Sequence, residues 1–200
     1  MPQPDQITAF SANIPDQLEP EVRALFDKCI EKLGFVPNVF AAYADKPKRL
    51  NNFRMMFNEL MLAPSGLSRL EREMIAVVVS SANHCYYCLV AHGQAVRQLS
   101  GDPELGEMMV MNYRVADLDA RQRAMLDYAW KLTLTPAEIV DADRARLKAA
   151  GLSEDDIFDV SEVAAFFNFT NRVASGVEQI PNREYHGLNR PAPSHPPSAG

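Results

Sequence analysis

Residues 67–92 read LSRLEREMIAVVVSSANHCYYCLVAH, and this stretch decides the fold. Ser68 and Glu71 have the spacing of a capping box, which predicts that a helix begins at this point. The apolar run that follows, MIAVVVSSA (74–82), makes the second half of this helix apolar around most of its circumference. Such a helix must be covered on all sides, so we expect it to lie at the centre of the molecule.

Apolar residues recur at helical spacing along most of the chain. Between Pro20 and Gly34, for example, one apolar stripe follows a single helical face. A short helix is expected between Pro37 and Pro47, and a long helix is expected to begin at Ser153. No stretch shows the two-residue alternation that is typical of a half-buried strand. We therefore predict an all-α fold.

The predicted organisation is a single-domain helical bundle with two extensions. The bundle covers residues 20–186 and is preceded by an N-terminal extension, residues 1–19. Residues 187–200 form a tail rich in proline and serine, and we expect this tail to be disordered because of its composition. Within the bundle, the segment DPELGEMMVMNYRVAD (102–117) is interpreted as a linker between helices.

Composition and charge exclude several classes of function. The chain has 200 residues and a net charge of −6, and no basic stripe is present, so nucleic acid is not an expected partner. No apolar run is long enough to cross a bilayer, and no secretory signal is recognisable at the N-terminus. Three cysteines do not form a disulfide scaffold, so a cytoplasmic location is expected. There, a close pair of cysteines favours redox chemistry, catalysis or metal binding.

The close pair is Cys85 and Cys88, and His92 follows one helical turn later. On a helix these three side chains share a face about 60° wide. Asn83 is a good N-cap residue, which would place both cysteines in the first turns of the helix. There, unpaired amide groups and the helix dipole favour thiolate over thiol, and a Cys-x-x-Cys pair can also close a disulfide. The spacing favours a redox pair.

Two residues are candidates for moving protons at this pair. His92 can accept the proton of the Cys88 thiol from one turn away. Glu73 lies on the preceding helix among apolar neighbours, where a partly buried carboxylate would suit proton transfer. The alternative for Glu73 is a surface position with an ion pair to Arg69 or Arg72, and spacing alone does not decide between them.

A zinc site and an inert polar helix end are the alternatives to a redox pair. His84, Cys85, Cys88 and His92 offer the ligand types that zinc prefers. However, consecutive residues such as His84 and Cys85 point about 100° apart on a helix, so they do not chelate one ion together. We therefore expect no bound metal. An inert helix end is disfavoured because this combination of residues at this spacing is uncommon without a use.

The stretch with Glu73, Cys85, Cys88 and His92 resembles the core motif of the alkylhydroperoxidase D-like superfamily, which includes the carboxymuconolactone decarboxylases. That motif has Glu twelve residues before the first Cys of Cys-x-x-Cys and His four residues after the second. Within the superfamily, the chain is most similar to the peroxidase-related branch. The similarity extends through GFVPNVFAAYADKP upstream and FNFTNRVASGVEQIPNREYHGL downstream.

The resemblance implies an all-helical fold that assembles into homo-oligomers, either trimers or hexamers. It implies that Cys88 is the peroxidatic nucleophile and that Cys85 resolves the resulting sulfenic acid to a disulfide. His92 and Glu73 would relay the proton. It further implies a peroxide substrate, no bound metal or flavin, and an external dithiol reductant of the lipoyl type.

The chain departs from this family pattern at one position. The characterised peroxidases have a histidine directly before the second cysteine, whereas this chain has Tyr87, whose phenol is a poor base near neutral pH. His84 is a possible substitute, and Tyr86 and Tyr87 are expected to line the site or a subunit contact. Three polar residues on the last helix either face the site or an interface or have solvated or capping roles, and the second role is expected for each: Asn168, Asn171 and Arg172.

The sequence thus predicts a thiol-dependent hydroperoxidase that acts on organic hydroperoxides. The first alternative is a dithiol–disulfide oxidoreductase that does not favour peroxides. The second is a redox-sensing helical protein in which the cysteine pair changes an interface without turnover. Decarboxylase-like chemistry on a lactone is the third, and it is disfavoured because that branch generally does without the Cys-x-x-Cys pair.

Overall fold

The computed structural model describes residues 3–10 and 14–190, and this part of the chain is built from α-helices and short 3-10 turns. The predicted all-α fold is confirmed. The α-helices of the described residues are α1 (Pro20–Leu33), α2 (Asn38–Ala41), α3 (Pro47–Leu62), α4 (Arg69–Ala82), α5 (Tyr86–Ser100), α6 (Pro103–Asn112), α7 (Ala120–Leu134), α8 (Asp141–Ala149) and α9 (Glu154–Gly176).

Helix α4 is the centre of the bundle, as its apolar sequence predicts. The seven consecutive residues from Met74 to Ser80 are each 0% exposed, because α3, α5, α6, α7 and α9 all pack against this helix. The predicted capping box begins it: the Ser68 N–H donates to Glu71 Oε2 (2.7 Å), and the Glu71 N–H donates to Ser68 Oγ (3.1 Å). A rigid, fully covered helix therefore carries Glu73.

Helix α9 crosses the bundle and packs against both α4 and α7. It begins at Ser153, as predicted, with a second capping box in which the Asp156 N–H donates to Ser153 Oγ (3.0 Å). Its buried face includes Phe166, Phe167 and Asn171. This face covers the helix pair α4 and α5, where the candidate site lies.

The segment interpreted as a linker is in fact helical over most of its length. Helix α6 begins at Pro103, after the Asp102 side chain accepts hydrogen bonds from two backbone amides of the first turn. Met109 and Tyr113 from this segment are 0% and 1% exposed. The prediction was wrong because Pro103 and Gly106 suggest irregular structure, whereas the proline occupies the first turn and the glycine serves helix packing.

The N-terminal extension packs against the chain that follows α9. The Ala9 N–H donates to the Val177 carbonyl (2.9 Å), and the Ile180 N–H donates to the Ile7 carbonyl (3.0 Å). At the other end, the Leu188 carbonyl accepts a hydrogen bond from Arg97 (3.1 Å). The disorder expected for the tail concerns mainly residues 191–200, which lie outside the described residues.

Among residues 3–10 and 14–190, no helix combines the length and the apolar character needed to cross a membrane.

Candidate active site

The turn between α4 and α5 places the cysteine pair. Asn83 ends α4 and does not cap α5, so the predicted N-cap was wrong by two residues: Cys85 holds that position. His84 adopts a left-handed conformation (φ 52°), its N–H donates to the Ser81 carbonyl, and the Cys85 N–H donates to the Ser80 carbonyl. This is the Schellman arrangement of a helix end, and it turns the chain directly into α5.

Both cysteines are free thiols and both are buried. Cys85 is 2% exposed and Cys88 is 3% exposed, and they pack with Tyr87 and Ala174 in a small cluster apart from the main core. Cys85 also lines a cavity of about 220 Å³ together with Ser175. The cavity gives a small molecule a route towards the first sulfur of the pair.

The two thiols differ in acidity. Interaction with the Cys88 thiol lowers the pKa of Cys85 to about 7, with further lowering by the Cys88 backbone amide, the Ser175 hydroxyl and the charge of His92. The pKa of Cys88 is raised, because Cys88 donates its hydrogen to Cys85 and is buried. Sequence position predicted a lowered pKa for both thiols, whereas in the folded chain only the pKa of Cys85 is lowered, mainly by the Cys88 side chain.

His92 and Glu73 meet inside the bundle. His92 Nδ1 lies 2.7 Å from Glu73 Oε2, and both side chains are largely buried. A carboxylate can only accept, so Nδ1 carries the hydrogen and Nε2 remains available as the second ring nitrogen. The His92 ring also packs edge-on against Phe167, with ring centroids 4.6 Å apart. The buried position predicted as one possibility for Glu73 is therefore confirmed.

The alternative surface role for Glu73 is excluded by its partners. Glu73 is 7% exposed and pairs with His92. The Arg72 guanidinium instead donates to the backbone carbonyls of Leu60 and Ala63, which ties α4 to the end of α3.

Polar residues of α9 complete the surroundings of Cys88. Hydrogen bonds from the side chains of Asn171 and Thr170 act to lower the pKa of Cys88, against the larger effect of burial and of Cys85. Asn171 is 1% exposed; its Nδ2 donates to Ser80 Oγ (3.0 Å), and its Oδ1 accepts from Asn83 Nδ2 (3.0 Å). The expectation of a solvated or capping Asn171 was wrong, because α9 buries this residue against α4.

Asn168 and Arg172 lie further out on the same helix. Asn168 is half-buried and accepts a hydrogen bond from Asn83 (3.0 Å), whereas Arg172 is exposed and donates to Asn168 Oδ1 (2.7 Å). Sequence reasoning missed Thr170 and Ser175 entirely. The only available signal was their nearness to Asn171 on α9, which Thr170 directly precedes and Ser175 follows by one helical turn, and that signal needs the site to be known first.

Tyr87 is buried, whereas its neighbours Tyr86 and His84 are more exposed. Tyr87 is 4% exposed, and its hydroxyl oxygen accepts the Val39 N–H (3.1 Å), one of the unpaired amides at the start of α2. Burial raises the pKa of Tyr87, which keeps its phenol protonated. Tyr86 is half-exposed and near His186, and His84 is exposed at the mouth of the Cys85 cavity. These two lie at the edge of the site.

The four residues considered as zinc ligands do not converge. Among the described residues, no group of three or more His, Cys, Asp or Glu side chains is arranged to hold a metal ion. His84 is exposed at the turn, whereas His92 is directed to Glu73.

An all-helical bundle that joins a helix-capping Cys-x-x-Cys pair to a buried Glu–His pair defines the alkylhydroperoxidase D-like class of proteins. The sequence profile of the carboxymuconolactone decarboxylase family matches residues 49–105, which contain Glu73, Cys85, Cys88 and His92. No protein of curated function matches the chain significantly.

Solved structures extend the likeness to nearly the whole chain. An uncharacterised peroxidase-related protein from Silicibacter sp. TM1040 is 59% identical over 95% of this chain and 100% of its own, with a TM-score of 0.92. An uncharacterised peroxidase-related protein from Ralstonia eutropha JMP134, described as an alkylhydroperoxidase AhpD core, is 36% identical over 94% of this chain and 98% of its own (TM-score 0.89). The chain therefore belongs to the alkylhydroperoxidase D-like and carboxymuconolactone decarboxylase superfamily, in its peroxidase-related branch.

A more distant likeness concerns the fold alone. The debrominase Bmp8, solved in complex with 2,3,4-tribromopyrrole as a C82A variant, is 18% identical over 90% of this chain and 96% of its own, with a TM-score of 0.75.

Proposed function

We propose that the protein is a thiol-dependent hydroperoxidase that reduces organic hydroperoxides with the Cys85–Cys88 pair. Membership of the peroxidase-related branch supports a peroxidase-like role in antioxidant defence. The observation that carries the proposal is the buried hydrogen bond between Glu73 and His92, one helical turn from Cys88. It supplies a proton relay next to two thiols, one of which ionises near neutral pH.

The nucleophile in this proposal is Cys88, the assignment that the family resemblance implies. In the reduced pair, Cys85 holds the negative charge and Cys88 holds the proton. Transfer of that proton to Cys85 produces the Cys88 thiolate. Its sulfur attacks the terminal peroxide oxygen, the O–O bond breaks, and the leaving alkoxide becomes an alcohol with a proton that the His92–Glu73 pair relays from solvent. Cys88 is then a sulfenic acid.

Resolution and reduction complete the cycle. The Cys85 thiol, which now carries the proton from Cys88, attacks the sulfenic sulfur. Hydroxide leaves and takes up that proton as water, and the Cys85–Cys88 disulfide forms. An external dithiol, of the lipoyl type by family resemblance, then reduces this disulfide by thiol–disulfide exchange and is itself oxidised. The proposal includes no resident metal or flavin.

A second assignment of the two cysteines is favoured by their acidities. Cys85 is the more acidic thiol, with a pKa lowered to about 7, and it lines the small cavity, so Cys85 is also placed to attack first with Cys88 as the resolving thiol. The overall reaction is the same. The two assignments differ in which sulfur carries the sulfenic acid.

The test is peroxide consumption with a dithiol reductant in the wild type and in two variants. We expect turnover to be lost in both Cys85→Ser and Cys88→Ser. Trapping with a sulfenic-acid reagent and peptide mapping then locates the oxidised sulfur: Cys88 in the Cys85→Ser variant for the first assignment, or Cys85 in the Cys88→Ser variant for the second. Undiminished turnover in both variants would remove the cysteine pair from the mechanism.

Three alternative functions give different results in the same assay. A dithiol–disulfide oxidoreductase would reduce a disulfide substrate and leave the peroxide unconsumed. A redox sensor would consume one equivalent of oxidant and then stop. Lactone decarboxylation would survive replacement of both cysteines.

Assembly and location belong to the proposal as well. The family resemblance favours a homo-oligomer, trimer or hexamer, while the cysteine count, charge pattern and short apolar runs favour action in the cytoplasm without nucleic acid or membrane partners. Sedimentation or light scattering measures the oligomeric state directly.

A further inference from the structure

A cavity beside the cysteine site has no role in the mechanism above. Its volume is about 1000 Å³, far more than hydrogen peroxide needs, and comparable to the upper range of small-molecule pockets. We call it the aromatic pocket, because its walls carry four phenylalanines: Phe10, Phe53, Phe166 and Phe169.

Several parts of the chain build the aromatic pocket. Helices α3 and α9 supply about half of its lining residues, the segment 41–46 supplies five more, and the N-terminal extension lines one side with Thr8 and Phe10. That side is held by the hydrogen bond from the Ala9 N–H to the Val177 carbonyl. Charged residues, Lys46, Arg49 and Glu162 among them, also line the pocket, while its remaining walls are largely apolar.

Gln179 connects the aromatic pocket with the cavity that reaches Cys85. It lines both, and its side chain is 93% buried, since the residue is 7% exposed. Gln179 Nε2 has no hydrogen-bond partner among the residues that the structure describes. A buried amide donor without a partner is costly and uncommon in folded proteins. A ligand oxygen placed at this point would give the donor its partner.

A second chain of contacts leads from the aromatic pocket to the proton relay. Phe166 in the pocket wall packs edge-on against Phe167, with ring centroids 5.5 Å apart. Phe167 in turn packs edge-on against the His92 ring. The pocket is therefore linked to His92 through two packed aromatic rings, and to the cavity of Cys85 through Gln179.

We infer that the aromatic pocket binds the apolar body of a bulky organic hydroperoxide, while the Gln179 side-chain amide donates to an oxygen of its peroxy group. The chemical class is an aryl or branched-alkyl hydroperoxide. The inference rests on the proposed peroxidase function for the reaction, but it makes a separate claim about binding. Gln179 is a specificity-determining residue in this account.

The experiment uses two substrates and one unreactive ligand. The substrates are cumene hydroperoxide and hydrogen peroxide, and the ligand is 2-phenylpropan-2-ol, the alcohol formed from the first. Ala165→Phe fills the pocket from an exposed position on its wall, and Gln179→Leu removes the amide donor at nearly constant volume. Ala149→Phe, at an exposed position on α8 outside the pocket, is the matched control.

We expect each pocket variant to lower the ratio of kcat/KM for cumene hydroperoxide to that for hydrogen peroxide by about tenfold, and to weaken binding of the alcohol by a similar factor. Ala149→Phe should leave both unchanged. An unchanged ratio and unchanged alcohol binding in both pocket variants would overturn the inference. The inference would also be overturned if the wild type did not bind the alcohol and Ala165→Phe dissociated an oligomer. That result would mean that a second copy of the chain fills the pocket.

If the protein is not a peroxidase, the same experiment still tests the binding claim. If the wild type consumes neither peroxide, calorimetric binding of 2-phenylpropan-2-ol still decides the inference: binding that both pocket variants weaken supports it, and absence of binding overturns it.

Discussion

At the scale of single residues, the two cysteines of the pair differ in pKa because they occupy different positions in α5. Cys85 is the N-cap of α5, where the backbone amide of Cys88 and the Ser175 hydroxyl stabilise a thiolate. Cys88 is one turn inside the helix, buried, and donates to its partner. The more acidic thiol of the pair is therefore Cys85.

This asymmetry predicts the pH dependence of alkylation. The rate of Cys85 modification by iodoacetamide should rise with pH around a midpoint near 7. In Cys88→Ala, the main cause of the lowered pKa is absent, so the midpoint should move upwards. Peptide mapping separates Cys85 from Cys88 and Cys29. A wild-type midpoint near 9.0, the ordinary thiol value, would contradict the assignment.

The same pKa difference links stability to pH. The pKa of Cys85 is lower in the folded chain than in the unfolded chain, so the folded state is stabilised fully above pH 9 and loses this contribution as the pH falls through 7. Urea unfolding of the reduced protein should show a gain of about 1–2 kcal/mol from pH 6.5 to 8.5 that Cys85→Ser lacks. Equal pH slopes for the two proteins would argue against a thiolate at Cys85.

Tyr87 stands where the characterised peroxidases of the family have a histidine, and its role here depends on its surroundings. Its hydroxyl oxygen accepts a hydrogen bond from the Val39 N–H and so pairs one of the free amides at the start of α2. This role is structural and differs from that of a base. Tyr87→Phe should therefore lower the free energy of unfolding by about 1 kcal/mol and leave peroxide turnover nearly unchanged. Tyr86→Phe, at a half-exposed neighbour, is the control and should be neutral. A loss of turnover in Tyr87→Phe without loss of stability would give the phenol a chemical role.

At the scale of elements, the packing of α5 against α6 depends on two glycines. A side chain at Gly106 would place its Cβ 2.6 Å from Arg97 Cγ and 3.1 Å from the Gly93 carbonyl oxygen. Arg97 cannot move aside easily, because its guanidinium donates to the Tyr185 and Leu188 carbonyls. The close approach of the two helices therefore also holds the C-terminal segment in place.

Gly106→Ala should consequently lower the free energy of unfolding by about 1–3 kcal/mol. Gly176→Ala is the matched control, because no atom lies within 4 Å of an added Cβ at that exposed end of α9. Chemical denaturation of both variants measures the difference. A neutral Gly106→Ala would mean that α6 shifts freely on α5.

At the scale of the whole molecule, local sequence signals predicted most of the fold. Capping boxes at Ser68 and Ser153, helical periodicity and the apolar run of α4 depend on neighbouring residues, and all were confirmed. Helix α6 was missed because its proline and glycine have roles that only the packed bundle reveals.

The candidate site was predictable only in part, for the same physical reason. The sequence predicted Cys85 and Cys88 at the start of a helix and offered a buried position for Glu73, and the structure has both. Asn171 and its α9 neighbours join the site through contacts between residues some 80 positions or more apart in the chain, as in the Asn171–Ser80 hydrogen bond. The aromatic pocket likewise forms only when the N-terminal extension meets α9.

The central claim, that the Cys85–Cys88 pair reduces organic hydroperoxides, is tested most directly by a single oxidation without reductant. One equivalent of cumene hydroperoxide is added to the fully reduced protein, and free thiols are counted and mapped. The account predicts that one of the three thiols remains, that of buried Cys29, together with a Cys85–Cys88 disulfide and one equivalent of alcohol. Three thiols remaining after the peroxide is added, or a disulfide that involves Cys29, would contradict it.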